Sequence, residues 1–276
     1  MRVILPILAC ILCAGIILAT GTNESTFPAG TFNGLFLTGT NKDLFLIANK
    51  DWFMAGNAAA QWLPPVFWAG ITNLGNTLGA FCLVAPLIAR WPRWVATALL
   101  ALPFGTFYTH LIKRLVDMPR PARTLMPGTY QIIDSPIFWY SFPSGHSVTI
   151  FALAGILVFC SKRRLVWLAL PAAMLVAFSR IAVGAHWPLD LLAGAAGGWA
   201  VAAIGCSMSA RWRFWENVHG QRILAGIVFF CALFFVFEDT GYPRGLWMQY
   251  LLCAMGILGS LYALWRPAAL KAKDSA

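Results

Sequence analysis

Charge is scarce in this chain. Only 11% of its 276 residues are Asp, Glu, Lys or Arg, with ten acidic residues and four histidines. Hydrophobic residues make up 59% and the mean hydropathy is +0.71, which leaves too little polar surface to cover a water-soluble globule. A bilayer removes that requirement, so composition argues for an integral membrane protein. Also missing are an H-E-x-x-H pair, a Walker loop and any cluster of carboxylates, the usual marks of zinc hydrolases, nucleotide hydrolases and carboxylate-held metals. No metal and no cofactor is expected. No internal repeat, low-complexity tract or Pro/Ser-rich linker divides the sequence, and a single membrane domain over 1–276 is the economical reading.

What charge there is carries a sign. The net charge is +10, which raises nucleic acid or an anionic surface as partners. The basic residues, however, lie in short runs between apolar segments and not in a stripe with exposed aromatics, a pattern of membrane topology and not of nucleic-acid binding. The seven cysteines (10, 13, 82, 160, 206, 231 and 253) all fall in or beside apolar segments and read as small buried hydrophobes.

Crossing about 30 Å of hydrocarbon takes about 20 apolar residues. Eight runs approach this: Val3–Thr20, Asn73–Ala89, Trp94–Ile112, Ser147–Cys160, Leu165–Phe178, Leu189–Met208, Ile223–Phe237 and Leu246–Trp265. The first is read as an uncleaved helix, with a cleaved signal peptide as the alternative. The fold class expected is an all-α polytopic bundle. Lys42–Trp52 reads as a short amphipathic helix at the interface or an ordinary connection. With a cytoplasmic N-terminus, one side holds Arg2, Arg90, Arg93, Lys162, Arg163, Arg164, Arg211, Arg213, Arg222, Arg266, Lys271 and Lys273, twelve of the twenty basic residues. The positive-inside rule then puts both termini in the cytoplasm of a plasma (inner) membrane.

Ionisable groups at membrane depth are costly and need a reason. Three clusters fall on the expected outer side. Lys113 and Arg120, six residues apart and followed by Pro121, pair a compact cation with a planar fork, a set suited to phosphate; taken alone, a helix-end Lys and Arg snorkel. Pro143-Ser144-Gly145-His146 opens the next span, where free helix amides attract anions and His146 can move a proton; alone, this is a Ser cap beside an incidental His. In Ser179-Arg180-(five residues)-His186-Trp187-Pro188-Leu189-Asp190, Pro188 suits the first helical turn. His186 and Asp190 then stand one turn apart, so the carboxylate can hold one ring nitrogen and leave the other free to attack; alone, this is a structural His–Asp contact. As a set, three cations, two histidines, a carboxylate and a glycine-opened helix start on one face point to phosphoryl chemistry.

Lys113-(six)-Arg120-Pro121, Pro143-Ser144-Gly145-His146 and Ser179-Arg180-(five)-His186-(three)-Asp190 resemble the three-part signature of the type 2 phosphatidic acid phosphatase superfamily. That group includes membrane lipid phosphatases, undecaprenyl pyrophosphate phosphatases and vanadium haloperoxidases. The likeness covers Lys113–Asp190 and is complete at every signature position. It implies His186 as nucleophile forming a phosphohistidine, Asp190 orienting it and His146 protonating the leaving oxygen. Lys113, Arg120, Ser144, Gly145 and Arg180 would hold the phosphoryl oxygens. It further implies a metal-independent phosphatase acting on a membrane lipid phosphate such as undecaprenyl pyrophosphate, phosphatidylglycerophosphate, phosphatidic acid or lipid A phosphate. Two apolar spans after the third motif exceed the six-span core typical of bacterial members.

Two other functions fit the same residues: a phosphotransferase that passes the phosphoryl group to a second lipid, and a non-catalytic transporter or lipid-binding protein that uses the basic pocket for anions. Secondary candidates read more simply: His110 as a buried hydrogen-bonded His, Trp187 as an interfacial aromatic, Glu238, Asp239 and Arg244 as a solvated turn. Gly194, Gly197 and Gly198 read as close helix-packing positions.

Overall fold

The computed structural model describes residues 39–160 and 165–266, with side chains described from Asn49 onward. The expected first span Val3–Thr20, and with it Arg2, Lys162–Arg164, Lys271 and Lys273, lies outside the described residues. Within them the chain is helical and contains no strand. The main helices are α1 (Gly39–Ala60), α2 (Pro65–Asn73), α3 (Thr77–Val84), α4 (Pro92–Val116), α5 (Pro121–Thr124), α6 (Gly145–Cys160), α7 (Val166–Ala182), α8 (Pro188–Arg211), α9 (Val218–Phe237) and α10 (Leu246–Trp265). Prolines start many of them, where a missing N–H costs nothing.

Among the described residues, four helical segments are long and apolar enough to cross a membrane: Pro92–Thr124, Pro188–Arg211, Val218–Phe237 and Pro243–Trp265. Apolar α6 and α7, of 16 and 17 residues, are shorter. The bundle turns large side chains outward, among them Trp62, Phe237, Trp167, Trp265 and Phe234; in water such a surface would drive association, whereas lipid solvates it. The expected all-α polytopic architecture is what the chain forms.

Three boundaries differ from the expected ones. The run Asn73–Ala89 is helical only over Thr77–Leu87, as α3 and its following 3-10 turn, and it is preceded by a second apolar helix, α2, which ends at Asn73 and from which it departs at 76°. Asn76 makes the break, its side-chain oxygen accepting from the amides of Leu78 and Gly79 and so starting a new helix. Hydropathy is blind to such a cap. The short amphipathic helix expected at Lys42–Trp52 is part of the 22-residue α1, which is docked on the bundle: Phe53 is fully buried, and Asn57 bonds Gln131 and the carbonyl of Ile181. Finally, α9 begins at Val218, a turn earlier than Ile223, because Asn217 caps it through Gly220 N–H.

The packing that matters for the site is α8 against α6 and α4, the most extensive neighbours of α8. Small residues permit it. A Cβ on Gly194 would fall 2.6 Å from both the Ser144 carbonyl and the Ser147 Cβ, and one on Gly198 would fall 2.6 Å from the Val148 carbonyl. Only glycine lets α6 and α8 approach this closely, as expected for membrane helices. At the other end Thr97 on α4 bonds Ser209 on α8 at 2.7 Å. Helix starts and ends therefore alternate, and Asn76, Lys113, Gly145, Arg180, Asp190 and Glu238 all fall at one end of the bundle.

Candidate active site

The three sequence clusters, 77 residues apart at their extremes, converge at that end. Helix α4 delivers Lys113 in its last turn and stops at Asp117, whose φ of 42° turns the chain out of the helix. Extended backbone then carries Arg120 inward, pinned by Arg120 N–H to the Phe138 carbonyl at 3.1 Å. The Arg120 guanidinium is 5% exposed. Its Nε donates to the Trp139 carbonyl (2.7 Å), and its Nη1 to the Ala185 carbonyl (2.9 Å) while lying 3.0 Å from His186 Nε2.

His186 sits in the turn between α7 and α8. Its backbone N–H and that of Ala185 both reach the Arg180 carbonyl, closing a tight loop after α7. Pro188 begins α8, so Asp190 occupies the third helical position, and its Oδ2 accepts from the Trp187 amide at 2.9 Å. The same oxygen lies 3.0 Å from His186 Nδ1 and accepts from the Ser141 hydroxyl. A carboxylate can only accept, so Nδ1 carries the proton and Nε2 presents its lone pair. Both residues are shut from solvent, at 2% and 0% exposure. Burial above all, and then the positive fields of Arg120, Arg180, Lys113 and His146, hold the His186 ring well below its usual pKa. The imidazole is therefore neutral at pH 7, the state a nucleophile requires.

Arg180, in the last turn of α7, is 2% exposed; its Nη1 donates to Thr72 Oγ1 at 2.5 Å, and it lies 5.4 Å above the Tyr242 ring. Its buried Nε has no hydrogen-bond partner among the described residues. Ser144 precedes α6, with its hydroxyl toward the Ser147 amide (3.4 Å) and its N–H bonded to the Asp190 carbonyl (3.0 Å), which ties the second cluster to the third. Lys113, Gly145 and His146 line a cavity of about 300 Å³, and neither Lys113 nor His146 has a side-chain hydrogen bond among the described residues. Lys113, Arg120, Arg180 and Asp190 are close enough to act on one another electrostatically. Arg120, Arg180, His186 and Asp190 do not line the cavity itself. Below its polar mouth the cavity is walled by Phe81, Leu102, Val148, Leu153, Ile156 and Val201.

All eight sequence-selected residues thus gather at one end of the bundle. Secondary candidates fare differently. Trp187 is 1% exposed and is no interfacial aromatic: it packs edge-on to Phe53 and donates to the Pro119 carbonyl at 2.8 Å. His110 is exposed along the cavity wall, not buried. Glu238 is half-buried and lines the cavity, whereas Asp239 and Arg244 are exposed. The residues that sequence reasoning missed are supports: Ser141, Thr72, Asn49 (which accepts from Leu189 N–H at 2.8 Å) and Tyr242. Thr72, Asn49 and Asn57 did leave a signal, since polar side chains buried in apolar helices need a partner. Among the described residues no three His, Cys, Asp or Glu side chains group as metal ligands.

Comparison with known proteins agrees with this geometry. The chain is 34% identical over 100 residues to an undecaprenyl-diphosphatase of Sulfolobus acidocaldarius, covering 36% of this chain and 46% of that protein. It is 31% identical over 116 residues to a lipid A 1-phosphatase of Rhizobium etli, covering 40% and 49%. The chain thus spans about half the length of these curated relatives. The crystal structure of Aquifex aeolicus LpxE superposes with a TM-score of 0.53 at 29% identity, over 58% of this chain and 95% of that one. Residues 94–215 match the PAP2 superfamily, and that match takes in every residue of the three clusters.

Proposed function

We propose that the protein is a membrane lipid phosphatase that hydrolyses a lipid phosphomonoester or diphosphate through a phosphohistidine on His186. The observation that carries this reading is the His186 ring itself: Nδ1 is fixed on Asp190 at 3.0 Å and Nε2 is directed to a guanidinium nitrogen, Arg120 Nη1, at 3.0 Å. A phosphoryl group entering between these two finds a donor on one oxygen and a lone pair at phosphorus. The cavity supports a lipid substrate, with Lys113 and His146 at a polar mouth and aliphatic walls below it.

In the first step His186 Nε2 forms a bond to phosphorus and the bond to the lipid oxygen breaks. His146 gives its proton to that oxygen. Asp190 stabilises the positive charge that develops on the ring, much as in acyl-transfer triads. In the second step a water loses a proton to His146 and attacks phosphorus, the P–N bond breaks, and inorganic phosphate leaves. Charge on three equatorial oxygens is met by Lys113, Arg120 and Arg180, with the Ser144 hydroxyl and Gly145 amide; such fixed donors supply most of phosphoryl-transfer catalysis. No divalent ion is required by this scheme.

The test is purified protein in detergent with polyprenyl diphosphate, phosphatidylglycerophosphate, phosphatidic acid and a lipid A 1-phosphate, following phosphate release. Release that persists in EDTA and is blocked by vanadate is expected. Release abolished by EDTA and restored by a divalent ion contradicts the scheme, and label appearing in a second lipid instead of inorganic phosphate favours a phosphotransferase.

A further inference from the structure

The α9–α10 hairpin lies entirely beyond the segment matched to the superfamily, which ends at residue 215. It nevertheless reaches the pocket. Glu238 ends α9 at the same end of the bundle as Lys113 and His146 and lines the same cavity. The hairpin holds it firmly: Gln249 on α10 donates to the Glu238 carbonyl at 2.8 Å and to that of Phe235 at 2.6 Å. Both carboxylate oxygens lie 3.2 and 3.3 Å from Asn76 Nδ2, whose own oxygen is committed to capping α3.

Among the described residues Asn76 is the only hydrogen-bond partner of this side chain, and no cation lies within ion-pair distance. A half-buried carboxylate is normally paired, because desolvation without compensation is costly. Here one amide group faces two oxygens with about four acceptor sites between them, and the open sites face a cavity otherwise lined by Lys113, His110, His146, threonines and apolar side chains.

We infer that Glu238 is a specificity residue of the proposed phosphatase: it accepts a hydrogen bond from a hydroxyl or ammonium group on the head of the substrate, beside the phosphate held by Lys113. The inference rests on the lipid phosphatase reading and narrows its substrate class. Lipid phosphates with a free hydroxyl on a second glycerol or on a sugar supply such a donor. Phosphatidic acid and polyprenyl diphosphates do not, and a second phosphate would meet the negative carboxylate unfavourably.

The experiment compares kcat/KM for phosphatidylglycerophosphate and a glycosyl 1-phosphate lipid with that for phosphatidic acid and a polyprenyl diphosphate, in wild type, Glu238→Gln and Glu238→Leu. Loss of one hydrogen bond to a charged acceptor lowers the donor-to-non-donor ratio about tenfold or more in Glu238→Leu. Glu238→Gln, which keeps an acceptor, restores part of the ratio, a response that a merely structural role would not give. A ratio unchanged in both variants overturns the inference while leaving the phosphatase reading intact. Wild-type protein that releases phosphate from none of the four lipids overturns both.

Discussion

Asp190→Asn removes one charge and almost no volume from the centre of the site. In the native protein Asp190 Oδ2 gathers the Ser141 hydroxyl, the Trp187 amide at 2.9 Å and His186 Nδ1 at 3.0 Å, all shielded from water. An amide in this place offers an NH₂ group in the same small space. If that group faces the ring, Nδ1 must accept, the proton moves to Nε2, and the attacking lone pair is lost. If the amide oxygen faces the ring, geometry survives but the negative charge that meets the developing imidazolium does not. Hydrogen bonds to charged groups contribute about 1.5–3 kcal/mol each, and the His–Asp bond gains its charge-assisted character as phosphorus is attacked. A loss of up to about 3 kcal/mol from transition-state stabilisation follows, or about a hundredfold in kcat. KM should change far less, because Lys113, Arg120 and Arg180, the cations proposed to hold phosphate, are untouched. The assay is phosphate release from the best lipid substrate at saturating concentration, with size-exclusion and thermal unfolding in detergent to show retained fold. Activity within about threefold of wild type would refute the orienting role given to Asp190.

Other outcomes follow from the same geometry. Ser141→Ala removes one of three donors to Asp190 and should lower kcat about ten- to hundredfold with little change in KM; unchanged kinetics would show that the contact is structural only. Because burial and neighbouring cations depress the His186 pKa below 6.5, the ring stays neutral at lower pH than a free histidine. The acid limb of kcat/KM due to His186 should therefore lie below pH 6.5, and an acid limb moved above pH 7 contradicts this environment. The linked stability, fully present above pH 6.5, is lost as pH falls through the depressed value. Gly194→Ala forces a Cβ to within 2.6 Å of the Ser144 carbonyl and should cost about 1–3 kcal/mol. A lowered Tm in detergent checks it, together with reduced turnover as α6 is displaced.

Much of the site was legible because its chemistry is local in sequence. Helical spacing alone sets His186 and Asp190 one turn apart, and Pro188 starts α8 where the spacing requires. Charge at membrane depth singled out Lys113, Arg120 and Arg180 for the same reason. The supports were hidden because they act over long separations: Thr72 reaches Arg180 across 108 residues, and Asn49 reaches Leu189 across 140. Trp187 was misjudged because an aromatic beside a helix start looks interfacial until Phe53 on α1 covers it. α2 was missed because its nine residues are too few to read as a span by themselves, and the Asn76 cap that separates it from α3 leaves no mark in hydropathy. Glu238 reads as a solvated turn residue unless α9 is known to end against the cavity.

The central claim is that His186 Nε2 bonds to phosphorus during turnover. It is tested most directly by mixing the wild-type protein with a ³²P-labelled lipid phosphate, followed by rapid alkaline quenching and peptide mapping. The account predicts an acid-labile, alkali-stable label on the peptide containing His186 and none in the His186→Ala counterpart. Label that survives loss of His186, or rapid phosphate release from the His186→Ala protein, would contradict it.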